Sequence, residues 1–417
     1  MTQSTRTMLE TVFNQALNSV SGDGAVLAAL QQQQFSERVH VLAIGKAADS
    51  MVRGALQGLD SKITRALVLT KYGHAGKQLS QDPRIVVHES AHPVPDQASL
   101  DAGQLLIKFL AAVPDADELL VLLSGGASAL VEVLPQGMSL EDLSRLTDYL
   151  LASGMDITQM NQVRRSVSCI KGGRLAEHLS NCRVRQYLIS DVPGNSLQDI
   201  GSGPLALSAD SEELIKSLVL PEWIEDFRRR VPLVPGPDHA RLSAVDSRII
   251  ASAEIAKQAA CDSARSLGFT ICDCAGDLHQ EVSDNAEMIA KTLLDVSAQA
   301  GIYVWAGEST LVLPQNPGRG GRNQHLGALL VARIAGHKVT VLCGATDGTD
   351  GPTDDAGAVV DGESEARGVA LGLNIEHYLR AADSGSWLQE TGAILTTGPT
   401  GTNVMDLVIA IKPGAVD

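Results

Sequence analysis

The sequence predicts an α/β protein built on a parallel β-sheet, and three observations support this fold class. Short apolar runs rich in β-branched residues recur along the 417 residues. Each run is followed by a Gly-, Pro- or Asp-rich break and then by a helical pattern, which is typical of a parallel sheet covered on both faces. The composition agrees, because 44% of the residues are hydrophobic, only 3% are aromatic and 39 are glycine.

Five predicted strands come before residue 218, and five more follow residue 243. Between these positions the alternation fails, since the segment holds four prolines and three consecutive arginines without sustained periodicity. Such a segment is typical of a domain boundary. The sequence therefore predicts two domains, residues 1–238 and residues 239–417. The predicted strands are residues 39–44, 66–69, 84–87, 119–123, 186–189, 248–251, 301–306, 339–342, 393–396 and 406–411.

Charge and hydropathy argue against several classes of function. The chain has 33 basic and 49 acidic residues, a formal net charge of −16, which disfavours binding to nucleic acids and anionic lipids. No apolar run reaches the roughly 18 residues of a membrane span, and the amphipathic N-terminal segment lacks the apolar core of a signal peptide. The six cysteines are scattered without a C-x-x-C pair. We therefore expect a cytoplasmic protein that binds neither nucleic acid nor membrane.

A loop of small residues follows the predicted strand 119–123, where the sequence reads LLSGGASAL over residues 122–130. Ligands bind at the carboxyl ends of strands in open parallel sheets. The glycines let the backbone approach a ligand closely, and a helix starting near Ala129 would leave unpaired N–H groups that suit a phosphate. The alternative is a plain tight turn with a serine as N-cap. The predicted phosphate-binding residues are Ser124, Gly125, Gly126, Ala127 and Ser128.

Cationic and polar residues follow other predicted strands. Lys46 comes soon after strand 39–44, and the run SDVPGN places Asp191 after strand 186–189. Arg164 and Lys171 are seven residues apart in a segment with helical periodicity, so we expect them on one helix face. Such a pair can hold a carboxylate or a phosphate, and the alternative is a solvated basic face.

The second half of the chain adds further charged strand ends. Glu308 follows strand 301–306, while Arg319 and Arg322 lie in a glycine-rich turn before a helix that starts near Asn323. Arginines at such a turn can stabilise transferring phosphoryl oxygens. Carboxylates that follow strand 339–342 indicate a hard divalent cation, with a spacing unlike that of an EF-hand. Together these features predict metal-assisted phosphoryl transfer. The carboxylates are those of Asp347, Asp350, Asp354 and Asp355.

A nicotinamide-dependent oxidoreductase is the competing interpretation, and it requires a dinucleotide fingerprint directly after a strand. The spacing is matched at Gly201-x-Gly203-x-x-Ala206, but this match lies far beyond its strand and contains Pro204. We interpret the match as accidental. The chain also lacks the G-x-x-x-x-G-K-[ST] pattern of a P-loop.

An ordered series of motifs resembles the glycerate 2-kinase family, whose C-terminal half is called the MOFRL domain. The resemblance runs from about residue 39 to about residue 411. It implies a Rossmann-like parallel-sheet N-terminal domain and a smaller α/β C-terminal domain, with the site in the cleft between them. It also implies a kinase that uses ATP and Mg²⁺ to phosphorylate D-glycerate at the 2-hydroxyl, giving 2-phosphoglycerate and ADP. The motifs are IGKAADSM, HPVPD, LLSGGASAL, NQVRRSVSCIKGGRLA, SDVPGN, GEST, GRGGRNQ, ATDGTDGPTDDAG and TGPTGTNVMDL.

The same resemblance implies roles for individual residues. Lys46 in IGKA and Arg322 in GGRNQ would be the catalytic cations, and residues 124–128 would line the nucleotide phosphate site. Asp191 would be a metal ligand or the base that accepts the hydroxyl proton, with Asp347 as the other candidate base. The expected substrate-binding candidates are Arg164, Lys171 and Asn323. The expected metal-binding candidates are Asp191, Glu308, Asp347 and Asp350.

Five positions depart from the usual pattern of this family. Ala127 stands where the family has a third glycine, and Arg165-Ser166 stands where it has Lys-His. Asn195 replaces an acidic residue, and Met405 replaces an asparagine. The last two changes leave open a related small hydroxy acid as the substrate.

Two alternatives to the kinase follow from the resemblance itself. Some family members carry the label hydroxypyruvate reductase, which would make the protein an NAD(P)H-dependent enzyme. A non-catalytic protein of the same fold would be expected to lack Lys46 or Arg322, and both are present. The sequence leaves open whether the chain is a monomer or a homodimer.

Overall fold

Two groups of residues in the chain pack mainly among themselves. One group is Gly22–Ile250, here called the continuous unit. The other combines Met1–Ser21 with Ala251–Asp417 and is here called the two-segment unit. The computed structural model describes residues 4–206, 215–234, 236, 238–273 and 276–414.

The continuous unit contains a six-stranded sheet. In chain order the strands are β1 (Val39–Ile44), β2 (Ile63–Lys71), β3 (Ile85–Ser90), β4 (Glu118–Leu123), β5 (Arg183–Ile189) and β6 (Asp246–Ala251). Their order across the sheet is β3-β2-β1-β4-β5-β6, and the pairs from β1 to β5 are all parallel. This confirms the predicted parallel α/β architecture. The strand order reverses between β1 and β4, which is where ligands bind in sheets of this kind.

Helices follow the strands of this sheet, and three of them begin with capping boxes. The side chains of Asp96, Ser139 and Asp156 each accept the backbone N–H of the residue three positions later. The side chain of that later residue accepts the backbone N–H of the capping residue. Helix α1 (Thr5–Val20) belongs to the two-segment unit. The helices of the continuous unit are α2 (Gly22–Gln31), α3 (Ala48–Leu59), α4 (Gln97–Ala111), α5 (Ala127–Leu130), α6 (Leu140–Ala152), α7 (Ile157–Ser166), α8 (Glu222–Arg228) and α9 (Ala240–Ser243). Short 3-10 helices cover Asp60–Lys62, Leu79–Gln81, Arg174–His178, Pro193–Asn195 and Ile200–Ser202.

The two-segment unit contains a second six-stranded sheet. Its strands are β7 (Ile271–Asp273), β8 (Gly301–Gly307), β9 (Thr340–Ala345), β10 (Gly357–Asp361), β11 (Ile394–Leu395) and β12 (Asp406–Lys412). Their order is β11-β10-β9-β12-β8-β7. The alternation of strands and helices predicted for this half does not produce a parallel sheet, because β12 lies between β8 and β9 and is antiparallel to both. Strands β10 and β11 are also paired antiparallel, and β7 and β10 have no counterpart among the predicted strands.

Large aromatic side chains fill the core of the two-segment unit. Trp305 and Trp387 are fully buried, and Tyr303 stacks on Trp305 with ring centroids 6.0 Å apart. A Cβ at Gly368 would lie 2.5 Å from the Trp387 ring, so this residue must stay small. The helices that cover the sheet are α10 (Ala253–Ser266), α11 (Val282–Leu294), α12 (Arg322–Ile334), α13 (Ser364–Ala370), α14 (Ile375–Arg380) and α15 (Ser384–Glu390). Within the described ranges, no helix has the length and apolar character needed to cross a membrane.

The observed units differ from the predicted division at residue 238 at both ends of the continuous unit. Residues 239–250 group with it, because β6 extends its sheet beside β5. The first 21 residues group with the two-segment unit, because α1 packs on α10, β9 and β12. Residues 235 and 237 of the predicted boundary segment lie outside the described residues.

A buried ion pair fixes the chain just before β1. Glu118 is 0% exposed and Arg185 is 2% exposed, and Arg185 Nε lies 3.0 Å from Glu118 Oε1. The second carboxylate oxygen accepts the N–H of Ser36 at 2.8 Å, while Arg185 donates to the carbonyl of Gln34 at 2.7 Å. The guanidinium also lies over the ring of Phe35, 4.1 Å from its centroid. This ion pair therefore holds residues 34–36, which lead into β1.

We expect Glu118→Ala to destabilise the protein by about 3–5 kcal/mol, because it leaves the buried guanidinium of Arg185 without its counter-ion. The control is Glu222→Ala, which breaks an exposed pair with Arg229 and should change stability by no more than about 1 kcal/mol. Denaturant unfolding of both variants measures the difference. Equal free energies of unfolding for the two variants would contradict this account of the ion pair.

Candidate active site

The loops that follow β1 and β4 are joined by backbone hydrogen bonds. The N–H of Ser124 donates to the carbonyl of Ile44 at 3.0 Å, and the N–H of Lys46 donates to the carbonyl of Gly125 at 3.0 Å. The buried hydroxyl of Ser124 accepts the N–H of Ala47 at 3.1 Å. The structure therefore brings Lys46 and the 124–128 loop together, as the sequence predicts for neighbouring ends of parallel strands.

Two glycines make this close approach possible. Gly45 has φ +130°, and a Cβ there would lie 2.1 Å from Ser124 Oγ. A Cβ on Gly125 would lie 1.8 Å from Asp191 Oδ2, so the carboxylate of Asp191 lies directly against the loop. Because Asp191 follows β5, three strand ends contribute to one place in the continuous unit.

The helix that follows the loop is much shorter than a helix dipole site requires. It begins at Ala127, two residues before the predicted start, and α5 ends at Leu130 after a single turn. Its N-cap is Gly126 at φ +83°, with no side-chain cap, so the alternative of a serine N-cap is wrong. Any anion at this loop is held mainly by backbone N–H groups and nearby cations rather than by a long helix dipole.

Several basic side chains lie close to this loop. A Cβ on Gly126 would be 3.0 Å from the His92 ring and 3.2 Å from the Lys46 side chain. Burial and the positive charges of Lys46, Lys71 and His74 lower the pKa of His92 to about 4. His92 is therefore neutral at pH 7, while the lysines give the site a positive potential. Such a potential favours an anionic ligand.

Lys171 occupies a different place from the one predicted. Helix α7 ends at Ser166, so Lys171 lies beyond it and does not share a helix face with Arg164. Its ammonium is buried, forms an ion pair with Glu132 and donates to the carbonyl of Ser128 at 2.8 Å. Lys171 thus supports the 124–128 loop through the carbonyl of Ser128. Arg164 remains on α7, where partial burial lowers its pKa.

The two-segment unit places the next predicted residues at the start of α12. Asp350 is buried, and its two carboxylate oxygens accept the backbone N–H groups of Asn323 at 3.0 Å and Gln324 at 2.7 Å. It therefore caps the helix, and a Cβ on Gly321 would collide with it at 2.4 Å. Burial raises the pKa of Asp350, and these hydrogen bonds oppose the rise.

Arg322, the first residue of α12, lies between two carboxylates. It forms an ion pair with Glu308, and its Nη2 lies 3.6 Å from Asp406 Oδ2. Asp406 is only 3% exposed, and its Oδ2 has no hydrogen-bond partner in the part of the chain that the structure describes. Burial raises the pKa of Asp406 to about 7, although Arg322 and a hydrogen bond from Asn323 oppose this.

The other predicted metal-binding carboxylates have separate local contacts. Asp347 Oδ1 accepts the N–H of Thr349 at 3.0 Å, and Asp355 forms an ion pair with Arg319. Asp354 is exposed. Over the described ranges, no three His, Cys, Asp or Glu side chains come together as a metal site.

The match at residues 201–206 has a structural role. Ser202 and Gly203 accept the N–H groups of Gly172 and Gly173 at 3.0 and 2.8 Å. Gly201, Ser202 and Gly203 all have positive φ. This segment is thus a turn that supports residues 172–175, as expected for an accidental match to the dinucleotide pattern.

His92 and Asp406 lie in the site but are not among the predicted site residues. His92 lies in the polar run 88–96 that follows a predicted strand, but nothing in the run singles it out. Asp406 is a charged residue at the start of the strand DLVIAIK, and the five residues that follow it are apolar. Because β12 is antiparallel, its first residue pairs with Gly307 and Ala345, at the edge where β8 and β9 end.

Comparison with known proteins identifies the family of the chain. Residues 8–222 match a family described as a domain of unknown function, DUF4147, and residues 301–406 match the MOFRL family. The D-glycerate 2-kinase of Thermotoga maritima is 36% identical over 414 residues, which cover 96% of this chain and 96% of that protein. The chain belongs to the glycerate 2-kinase family.

Structural similarity to the glycerate 2-kinase family also extends over the whole chain. The crystal structure of a glycerate kinase from Thermotoga maritima matches with a TM-score of 0.87 and 31% identity, covering 98% of this chain and 99% of that chain. A relative from Agrobacterium vitis, provisionally named a hydroxypyruvate reductase, is 32% identical over 97% of this chain and 94% of its own length. The names glycerate 2-kinase and hydroxypyruvate reductase therefore both occur among relatives that match nearly the full length of this chain.

We expect Lys46→Met to raise the pKa of His92 above about 4, because one of the positive charges that depress it is removed. The pKa should stay below 6.5, since burial is the larger cause. Histidine-selective NMR across a pH series measures this shift. Lys108→Met on the exposed face of α4 is the control, and a His92 pKa that Lys46→Met leaves unchanged would contradict the proposed proximity.

The lowered pKa of His92 predicts how the stability of the protein changes with pH. Between about pH 6.5 and pH 4 the unfolded chain binds a proton at His92 that the folded chain does not. Its contribution to stability is therefore complete above pH 6.5 and is lost as the pH falls towards 4. His92→Phe should flatten this part of the stability profile in denaturant unfolding, and an unchanged slope would contradict it.

For Asp406 the dependence of stability on pH has the opposite sign. From the ordinary value of 3.8 up to about 7, the folded protein holds a proton at Asp406 that the unfolded chain has lost. This contribution to stability is complete at low pH and disappears as the pH rises through about 7. Asp406→Asn should remove it, changing the slope of unfolding free energy by roughly 1 kcal/mol per pH unit within this window. The exposed control Asp262→Asn should leave the slope unchanged, and the same slope in all three proteins would contradict the raised pKa.

Proposed function

We propose that this protein transfers the terminal phosphoryl group of ATP to the 2-hydroxyl of D-glycerate, giving 2-phosphoglycerate and ADP. The observation that carries the proposal is the position of Lys46 beside the Gly125–Gly126 turn, where further basic groups gather. The full-length likeness to a D-glycerate 2-kinase supports the same reaction. In the described part of the continuous unit, the Gly201 segment is a turn that supports residues 172–175, which does not favour hydride transfer.

The 124–128 loop is assigned to the phosphates of the nucleotide. Its glycines admit close approach, and the Lys46 ammonium neutralises charge on the phosphoryl oxygens. His92 stays uncharged at pH 7 and can donate or accept a hydrogen bond there. Lys171 is assigned to support of the loop through the Ser128 carbonyl rather than to substrate.

The carboxylate of Asp191 fits a magnesium ion bound with the nucleotide. Mg²⁺ in such sites takes one or two carboxylates, several waters and phosphate oxygens, so a cluster of three protein ligands is not required. Asp191 lies against Gly125 in the loop assigned to the phosphates. When bound, the ion would neutralise phosphate charge. Asp350 fits less well, because both its oxygens already cap α12.

Arg322 is assigned to stabilising the transferring phosphoryl group, with Asp406 as the residue that positions it. Glu308 and Asp406 approach different nitrogens of the same guanidinium, which restricts its rotation. Asn323 links this pair to the helix cap through Asp350. Arg164 is the remaining cationic candidate for the substrate carboxylate.

The base that accepts the hydroxyl proton is assigned to Asp191 or Asp347. If Asp191 holds the metal, Asp347 is the candidate, and substitution of each residue separates the two roles. The changes at Asn195 and Met405 bear on the substrate, so a related small hydroxy acid is the nearest variant of the proposal. Within the described residues, Cys169, Cys182, Cys272 and Cys343 are free thiols, which supports a reducing compartment such as the cytoplasm.

We expect Lys46→Ala and Arg322→Ala each to lower the turnover rate by on the order of a thousandfold, because each removes a cation that stabilises the transition state. The assay supplies D-glycerate, ATP and Mg²⁺, follows ADP release and separates 2- from 3-phosphoglycerate. Lys108→Ala and Arg367→Ala are the matched controls, since both residues lie outside the assigned sites. EDTA should abolish the reaction.

A parallel assay with hydroxypyruvate and NADH tests for the reductase activity that the name of some relatives implies. Oxidation of NADH without ADP release from ATP would overturn the kinase proposal. Turnover of another hydroxy acid in place of D-glycerate would keep phosphoryl transfer and revise the substrate. Full activity in Lys46→Ala or Arg322→Ala would remove that residue from the mechanism.

A further inference from the structure

A second lysine lies at the edge of the sheet where Lys46 is found, and it is not among the residues assigned to phosphoryl transfer. This residue is Lys71, the last residue of β2. Strand β2 is the neighbour of β1, and Leu69 is paired with Ile44. Each lysine follows its member of this pair by two residues, so the two lysines leave the sheet side by side. Neighbouring strands are roughly 4.8 Å apart, which sets the spacing between the two backbones.

The alternation of side chains along β2 turns Lys71 towards the face of the sheet that carries the 124–128 loop. Leu67 and Leu69 belong to the buried cluster that also contains Ala127 of this loop. Side chains two residues apart lie on the same face of a strand, so Lys71 lies on this face as well. Leu69 is fully buried, whereas Lys71 is half-buried. The lysine therefore stands where the apolar core gives way to the polar edge of the sheet.

His92 gives a second indication of where Lys71 lies. A Cβ on Gly126 would be 3.0 Å from the His92 ring, so this ring borders the 124–128 loop. The charge of Lys71 is one of the causes that lower the pKa of His92, after burial and the charge of Lys46. The ammonium groups of both lysines therefore act on one imidazole beside the loop assigned to the phosphates.

The loop that follows Lys71 is held by two carboxylates through its backbone. Asp49 accepts the N–H of Gly76 at 2.8 Å, and Glu89 accepts the N–H of Ala75 at 3.1 Å. These bonds fix the course of the chain just beyond the lysine. Among the described residues, the Lys71 ammonium itself makes no ion pair or hydrogen bond. Such a cation at a strand end favours an anionic ligand.

The order of the strands separates two kinds of ligand group along this edge. The 124–128 loop follows β4 and Asp191 follows β5, so both lie on one side of Lys46. Lys71 ends β2 and His92 follows β3, on the other side of Lys46. The nucleotide and its metal ion are assigned to the ends of β4 and β5. The ends of β2 and β3 therefore fit the acceptor of the phosphoryl group.

The acceptor of the proposed reaction carries an anionic group next to its reacting oxygen. In a 2-hydroxy acid the carboxylate and the hydroxyl are attached to the same carbon atom, so the carboxylate lies close to the phosphoryl group during transfer. Lys46 is assigned to that phosphoryl group, and a second cation on the next strand fits the carboxylate. The neutral ring of His92 can donate or accept a hydrogen bond there without adding to the repulsion between the lysines.

We propose that Lys71 binds the carboxylate of the hydroxy-acid substrate. The inference rests on the proposed kinase reaction and deepens it, because it names the group that recognises the acceptor as an acid. Arg164 is the other cation considered for this carboxylate. It lies on α7, whose Val163 packs in an apolar cluster separate from the one beneath Lys71.

Steady-state kinetics of Lys71→Met with D-glycerate, ATP and Mg²⁺ test the assignment. We expect the KM for D-glycerate to rise by about tenfold or more, as for loss of a hydrogen bond to a charged group. The value of kcat should change little, because the carboxylate is bound equally before and during transfer. The KM for ATP should stay within about twofold of its original value, which also shows that the variant is folded. Lys71→Arg keeps the positive charge and should restore part of the affinity for D-glycerate.

Lys77→Met is the matched control, because Lys77 lies in the same loop, is exposed and is not among the charges that act on His92. It should leave both KM values unchanged. The proposal is overturned if active Lys71→Met has an unchanged KM for D-glycerate, if its KM for ATP rises as much, or if Arg164→Gln alone raises the KM for D-glycerate. An unaltered protein that phosphorylates no hydroxy acid would instead refute the proposed function, and this inference with it.

Discussion

The contact between Gly45 and Ser124 is the constraint on which the candidate site of the continuous unit depends. With no side chain at residue 45, β1 and β4 end side by side, and the Ser124 hydroxyl can accept the N–H of Ala47. Lys46 then leaves the sheet beside the 124–128 loop. Glycine gives this backbone freedom at an entropic cost of roughly 0.5–1 kcal/mol relative to alanine. The parallel sheet, buried on both faces, provides the rigidity that keeps the two strand ends together.

The two units hold their principal cations by opposite electrostatic arrangements. Lys46 lies among other basic groups, so an anionic ligand would reduce the repulsion between these positive charges. Arg322 lies among carboxylates, so it is oriented by the protein itself before any ligand arrives. The burial of Asp406 makes this second arrangement sensitive to pH near neutrality, because a protonated carboxyl attracts the guanidinium less strongly than a carboxylate does.

The parallel sheet and the position of Lys46 could be predicted because both follow from local patterns. Apolar runs mark the strands, and in a parallel sheet the residue after each strand lies at the ligand edge. The same rule missed Asp406, since β12 runs the opposite way and brings its first residue to that edge. Periodicity predicts Lys171 on the same helix as Arg164, but α7 stops at Ser166. Arg174 donates to the carbonyl of Arg165 in the last turn of α7 and to that of Lys171 beyond it. Contacts of this kind are made by residues outside the helix and leave no periodic signal.

The chain enters the continuous unit after residue 21 and leaves it after residue 250, so α1 belongs with strands that are synthesised much later. Its apolar face packs on α10, β9 and β12, with Phe13 against Gly344, and all three elements leave the ribosome after the continuous unit. An isolated helix of 16 residues is only marginally stable in water. Translation therefore completes the continuous unit first and the two-segment unit last, and a fragment that starts after residue 250 lacks the helix that covers part of its own sheet.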